Sequence, residues 1–271
     1  MKLLVAGADR VDAGKTTFST GLLAYADATG FKPRAGNDYW FDHDDYELAV
    51  EEGRLYGKDA KRLAAASAES VAPEAINPLH RLWRPSTGDG TGLVGASHRE
   101  FVLDRVGSDE SAAFVVNADA DVPDSAREHL PLADATVVDS LPAFNDVMSD
   151  RHASALAAVR DRIRERDRAV VESYGDVAVP VEDVPFDAVA VVDPQRARVY
   201  DGDRYRKARS VVGGTARDGQ LEESTSDVVD YCDPKATVAL PALASDERGD
   251  PDVVADAYEV AYDALVSTAL R

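Results

Sequence analysis

The sequence predicts a doubly wound α/β fold with a mostly parallel sheet. Three observations carry that expectation. Short runs of purely apolar residues recur along the chain, as in strands buried on both faces. Helical periodicity fills most of the intervals between them. A chain of 271 residues suffices for one large core, or one core with a small excursion.

Lys2-Leu3-Leu4-Val5-Ala6, ending at Gly7, reads as a buried first strand. Residues 16–28 place Phe18, Leu22, Leu23 and Tyr25 at helical spacing, and Gly30 is expected to end that helix. Residues 31–35 read as a second strand. The acidic turn Asp42-His43-Asp44-Asp45 follows, then helical stretches over 46–56 and 58–69. Residues 76–96 are rich in Pro, Gly, Ser and Thr and are expected to be loop. Residues 100–106 and 112–117 flank Gly107-Ser108-Asp109-Glu110 as a hairpin. This is a small β insertion around 90–120 in what is otherwise a single domain over 1–271. Helical patterns return at 124–132 and 145–166. Ala169-Val170-Val171-Glu172 and Ala188-Val189-Ala190-Val191-Val192 are two more core strands. Residues 199–205 hold Asp201-Gly202, the signature of a tight hairpin. A polar loop over 213–226, a last strand at 237–240 and an amphipathic closing helix over 252–270 complete the pattern.

The segment from Gly7 to Thr17, Gly-Ala-Asp-Arg-Val-Asp-Ala-Gly-Lys-Thr-Thr, joins the first strand to the first helix. A bound di- or triphosphate needs inward backbone N–H groups, a helix N-terminus, one mobile ammonium and a hydroxyl for Mg²⁺. Gly14 lets the backbone approach the phosphates, Lys15 would reach the β and γ oxygens, and Thr16 would ligate Mg²⁺. Asp12, Ala13, Gly14, Lys15, Thr16 and Thr17 form the candidate nucleotide-binding set. The pattern is a Walker A loop, or P-loop, with one departure. Its first glycine is expected five residues before Gly14, where Asp9 stands, and Gly7 lies two residues further back. The plain alternative is a helix start with no ligand, and the strand before and helix after weigh against it.

Together with Phe31-Lys32-Pro33 and Val170-Val171-Glu172-Ser173-Tyr174-Gly175, this loop resembles the dethiobiotin synthetase and cobyrinate amidase branch of P-loop NTPases. The chain looks most similar to archaeal, in particular haloarchaeal, proteins described as predicted P-loop ATPase/GTPase. The likeness covers about half the chain, and its first motif is the specific one. The family's loop theme is matched by Asp9, Asp12 and Gly14-Lys15-Thr16, and its Lys-Pro theme by Lys32-Pro33. Its strand ending in Glu, followed by a Gly-containing turn and Pro, is matched by Glu172, Gly175 and Pro180. The resemblance implies that Glu172 joins Thr16 on Mg²⁺ and that Lys32 contacts a substrate carbamate or carboxylate. Lys15 from the loop, Asp12 (preferred to Asp9 for orienting water or Mg²⁺ because it sits closer to the phosphates), Glu172 and Lys32 are the candidate catalytic residues. The family's Glu-Gly-x-Gly-Gly turn is here Glu172-Ser173-Tyr174-Gly175-Asp176.

Fifty acidic residues against 30 basic ones, only seven of them lysine, give a formal charge of −20. The acids are spread along the whole chain, so they form a surface and not a tail. With the richness in Ala, Asp and Val, this composition resembles that of proteins from extremely halophilic archaea. No apolar run approaches the roughly 20 residues of a membrane helix, and Lys2 to Gly7 is too short for a secretory h-region. A lone cysteine, Cys232, excludes an intrachain disulfide. A cytoplasmic protein is expected.

Other residues have a functional and a plain reading. Glu172 ends an apolar strand and suits a role on Mg²⁺, but Asp139 and Asp193 end apolar runs too. Arg10 stands five residues before Lys15, where related partition ATPases carry a lysine that crosses a dimer; the plain reading is a solvated arginine. Lys32 would hold an anionic substrate or the γ-phosphate. Asp42, His43, Asp44 and Asp45 are adjacent, so they cannot all face one ion on a regular element; Asp38, Asp42 or Asp45 alone is left as a lesser Mg²⁺ or substrate candidate. His80, His98, His129 and His152 show no ligand spacing. Tyr200 and Tyr205, with Arg204 and Arg206, either stack on a base or pair across strands.

The expected activity is Mg²⁺-dependent binding and hydrolysis, or phosphoryl transfer, of a nucleoside triphosphate. The guanine signature Asn-Lys-x-Asp is absent, which favours ATP over GTP. The alternatives are an ATP-dependent ligase of the dethiobiotin-synthetase type, a GTPase-like switch with a protein partner, and a polynucleotide kinase. No basic aromatic strip is present, which weighs against nucleic acid as a partner.

Overall fold

Two separate hydrogen-bonded sheets organise the chain, and Pro33 marks where it leaves the first for the second. The computed structural model describes residues 1–7, 14–86, 92–94, 98–108, 112–212 and 223–271. The chain starts with β1 (Lys2–Gly7), α1 (Lys15–Ala26) and β2 (Thr29–Phe31). Then come β3 (Arg34–Asp38), α2 (His43–Glu51), α3 (Lys58–Ala66), the single turn α4 (Pro73–Ile76) and β4 (Leu79–Pro85). Strands β5 (Arg99–Val106) and β6 (Ala113–Asn117) precede α5 (Asp124–His129) and β7 (Thr136–Val138). Helices α6 (Leu141–Val147) and α7 (Ala153–Glu165) are joined by a π turn over Met148–His152. Next are β8 (Ala169–Glu172), β9 (Ala188–Asp193), β10 (Arg196–Asp201) and α8 (Gly202–Val212). The chain ends with α9 (Thr225–Val229), β11 (Ala236–Ala239), α10 (Pro251–Ala257) and α11 (Glu259–Ala269). Among the described residues, no helix is long and apolar enough to cross a membrane.

The fold is α/β, with five parallel and four antiparallel strand pairings among the described residues. Where one domain with an insertion near 90–120 is expected, contacts divide the chain into two compact units. The first comprises Met1–Pro33, Arg62–Val71 and Arg160–Arg271; the second comprises Arg34–Lys61 and Ala72–Val159.

The first unit's sheet runs β11-β10-β9-β1-β8-β2. Strands β9, β1, β8 and β2 are mutually parallel, and β10 and β11 extend the sheet in antiparallel fashion. Every residue of β8 and β9 is buried, which explains their unbroken apolar sequences. Helix α1 packs against α10, and the Tyr262 hydroxyl of α11 donates to the Phe18 carbonyl at 2.9 Å.

Three local expectations change here. The helix expected to stop at Gly30 ends earlier, at Asp27, whose left-handed φ of 49° caps it. Asp201-Gly202 is no hairpin: the turn between β9 and β10 is at Pro194-Gln195, and Gly202 opens α8. A Cβ on Gly202 would lie 1.7 Å from the Phe186 carbonyl oxygen, so the glycine answers a close backbone approach. The closing helix is two helices, broken at Tyr258.

The second unit's sheet runs β3-β4-β5-β6-β7, with β3 parallel to β4, β6 parallel to β7 and the middle antiparallel. The hairpin of β5 and β6 is as expected, but the expected loop over 76–96 contains β4. Successive residues feed opposite faces, as strand pleating requires. Leu82 and Phe114 join one apolar cluster with Tyr46, Leu55 and Leu103, whereas Trp83 and Val115 join another with Phe101 and Phe144. The strand expected over 31–35 is divided: Phe31 closes β2 and Arg34 opens β3. Pro33 lacks the N–H a ladder needs and biases Lys32 away from helix, so the chain turns out of the sheet there.

Candidate functional site

Strands β1 and β8 are parallel neighbours, with Val5 opposite Glu172, so their C-terminal ends open on the same edge of the sheet. In open α/β sheets this edge is where ligands sit. Helix α1 starts there too. Gly14 precedes it with φ of 83°, a left-handed conformation that strains any L side chain. A Cβ at Gly14 would meet nothing within 4 Å, so backbone conformation and not space requires the glycine. Gly14, at the N-cap position, has no side chain with which to cap the helix.

Lys15 is buried, and Thr16 and Thr17 are half-buried. The Thr16 hydroxyl donates to Glu172 Oε1 at 2.9 Å. Lys32 Nζ reaches the same oxygen at 2.5 Å, and neither side chain of that pair is more than 5% exposed. The register explains the meeting. Phe31 pairs with Val171, so the next residues, Lys32 just past β2 and Glu172 at the end of β8, lie side by side. Glutamate is almost never fully buried without a partner, and Glu172 has two on one oxygen. Its other oxygen, Oε2, is buried without a hydrogen-bond partner among the described residues. Such an atom is costly unless something else completes it. A cation held by a phosphate and by a hydroxyl-carboxylate pair would do so, and the donor set Thr16 plus Glu172 fits Mg²⁺. Among the described residues no three His, Cys, Asp or Glu side chains are gathered to hold a metal. Nucleotide-bound Mg²⁺ needs only one or two protein ligands.

Of the predicted residues, the structure brings Thr16, Lys32 and Glu172 into contact and places Gly14 and Lys15 at the same helix start. Thr17 lies on α1, its carbonyl accepting from the Thr20 hydroxyl at 3.0 Å. Asp12 and Ala13, with Asp9 and Arg10, lie outside the described residues. Asp193 ends β9 but is held at 3.0 Å by both Arg196 and Arg198. Asp139 belongs to the second unit.

Asp38 and Asp42 use side-chain oxygens on backbone N–H groups: Asp38 Oδ1 accepts from Trp40 and Phe41, and Asp42 Oδ2 from Asp38. His43 Nδ1 lies 3.2 Å from the Tyr39 carbonyl, and Asp45 pairs with Lys58 at 3.5 Å. Tyr200 and Tyr205 are each 1% exposed, with ring centroids 6.0 Å apart; stacking on a base is therefore ruled out by burial. Cys232 is half-buried, and burial pushes its thiol up.

Sequence reasoning passed over Arg54, Glu74 and Arg105, which line a cavity of about 490 Å³ in the second unit. They come from three separate segments, a turn after α2, α4 and β5, and form no motif, so only tertiary packing assembles them.

No protein-family model matches the chain, and no curated protein matches it.

Proposed function

We propose that the first unit binds a nucleoside triphosphate, ATP by preference, with Mg²⁺, and hydrolyses it or transfers its terminal phosphoryl group. The observation that carries this reading is the Thr16–Glu172 hydrogen bond at the shared C-terminal edge of β1 and β8, with Glu172 Oε2 unpartnered among the described residues. Bound Mg²⁺ would neutralise phosphate charge and favour the loose phosphoryl-transfer transition state. The first-turn N–H groups after Gly14 and the Lys15 ammonium would hold the phosphates, and Thr16 and Glu172 would hold the metal directly or through water. A specific observation favours transfer to an anionic acceptor over bare hydrolysis. Lys32 is a buried ammonium beside Glu172, where it can turn to a carboxylate, a carbamate or the phosphoryl group itself. That is the ligase reading.

Calorimetry with Mg·ATP in molar KCl tests the proposal. Lys15→Ala and Thr16→Ala should each weaken binding by about a hundredfold or more, the loss of about 3 kcal/mol expected for charge-assisted phosphate contacts. The melting temperature should hardly change. Unchanged affinity in both variants would overturn the reading.

A further inference from the structure

The second unit's cavity, about 490 Å³, is of the size that holds small organic ligands. One part of its wall is apolar, from Leu55, Phe114 and Pro131; another carries two guanidinium groups, Arg54 and Arg105. The two arginines differ in how their charge is met. Arg54 is matched by carboxylates: Nε and Nη2 donate to the two Glu74 oxygens at 2.7 and 2.6 Å, and Nη1 to Glu52 at 3.2 Å. It also lies 4.6 Å over the Tyr56 ring.

Arg105 is 3% exposed and bonded only to neutral carbonyls. Nε donates to Leu55 at 2.7 Å, Nη2 to Asn77 at 2.5 Å, and Nη1 to Gly107. Among the described residues no carboxylate forms an ion pair with it. Burial lowers its pKa to about 10; Glu74 opposes this from longer range, and Arg54 adds to it. A guanidinium offers five N–H donors, so three carbonyls leave two unused. Tying three backbone segments together needs donors, not a charge, and a buried charge without its counter-ion is expensive. The second unit holds 22 acidic and 10 basic residues, yet no described one supplies that counter-ion.

We propose that this cavity binds a small organic monocarboxylate, its carboxylate on the remaining Arg105 N–H groups and its apolar body against Leu55, Phe114 and Pro131. Single charge is part of the argument. Glu52 and Glu74 also line the wall and would repel a dianion, whereas one carboxylate matches one unpaired guanidinium. The proposal does not rest on the phosphate-site reading, since it concerns other residues in the other unit.

Titration calorimetry on the full chain in molar KCl, with benzoate as probe, benzyl alcohol as its neutral counterpart and inorganic phosphate as a third arm, tests it. Benzoate should bind saturably and at least about tenfold more tightly than either control. Arg105→Gln, which keeps donors and removes the charge, should reduce benzoate binding to the level of the alcohol. Should that variant fail to fold, Ala112→Leu decides: it enlarges a lining residue while keeping Arg105, and should lower benzoate affinity about tenfold or more. Equal binding of benzoate and benzyl alcohol, a preference for phosphate, or full benzoate binding in a folded Arg105→Gln or Ala112→Leu protein would overturn the proposal.

Discussion

The two units bury charge in different ways. In the first, Glu172 stands at the end of a strand, two partners crowd one of its oxygens and the other has none among the described residues. In the second, Asp104 sits within β5, directly opposite Arg81 of β4. Both its oxygens are taken by that arginine at 2.6 Å. The guanidinium lies 4.8 Å over Phe101 and 5.1 Å over both Trp83 and Phe144. A pair saturated on every side holds a sheet together; an acid with one unmatched oxygen at a strand end is where the proposed Mg²⁺ would sit. Overall charge differs as well. The first unit has 20 basic and 28 acidic residues, against 10 and 22 in the second.

Substituting the two buried acids by their amides would sharpen that contrast or break it. Asp104→Asn leaves Arg81 charged and unmatched, so it should cost about 3–5 kcal/mol of stability in the second unit. Glu172→Gln also takes the carboxylate from a buried cation, but its carbonyl can still accept from Lys32 and Thr16 and it removes charge from the unpartnered Oε2, so its stability should fall less. Its turnover of Mg·ATP should fall about a hundredfold, some 2.7 kcal/mol in the barrier, while nucleotide affinity falls little. Denaturant melts and single-turnover kinetics measure the two effects. Equal destabilisation by both variants, with turnover intact in Glu172→Gln, would mean that Glu172 is as structural as Asp104.

That contrast also governs what is legible in the sequence. Gly14, Lys15 and Thr16 can be read because their geometry is local: a strand end, a left-handed glycine and a helix start lie within a few residues. Glu172 and Lys32 can be read as strand-end residues, but their contact depends on β2 and β8 being neighbours across some 140 intervening residues. In the second unit the helices and the β5–β6 hairpin can be read one by one, but not the sheet that joins them. That sheet is closed by pairings such as Arg81 with Asp104, which no period announces, and β4 hides in a segment whose Pro and Ser suggest loop. At Asp201-Gly202 a true local turn signal loses to a tertiary one, the backbone of Phe186.

A smaller effect comes from His152, whose Nε2 lies 3.3 Å from Asp104 Oδ2 without the alignment of a hydrogen bond. Burial lowers its pKa from the ordinary 6.5, Asp104 opposes the shift, and Arg81 and Arg34 add to it. The folded pKa therefore lies below the unfolded one, and between the two the unfolded chain binds more protons. Stability from this group is complete above about pH 6.5 and falls as the pH drops towards the folded value. A tenfold difference in proton affinity between the folded and unfolded chain corresponds to about 1.4 kcal/mol. His152→Gln should therefore lose less stability between pH 7.5 and pH 5 than the parent does. An identical loss in both would show that acid sensitivity comes from the carboxylates alone.

The weakest effect per residue is also the most widely spread. Self-repulsion among like surface charges loosens a fold in dilute buffer, and salt relieves it. Screening lengths fall from about 10 Å at 0.1 M to about 3 Å at 1 M. The second unit, with a net −12 on fewer residues than the first unit's −8, should gain more from added salt. Both tryptophans, Trp40 and Trp83, belong to it, so tryptophan fluorescence follows the second unit alone. Its melting midpoint should climb steeply between about 0.1 and 2 M KCl. Amide exchange in β1, β8 and β9 should report a smaller gain for the first unit. Matched sucrose separates charge screening from a general strengthening of burial, because sucrose acts only through the second. A climb that continues past 1 M, where screening is nearly complete, points to hydrated cations held by the surface carboxylates. A midpoint indifferent to KCl would show that the acidic surface has no stabilising role in salt, and the likeness to halophilic proteins would then be one of composition only.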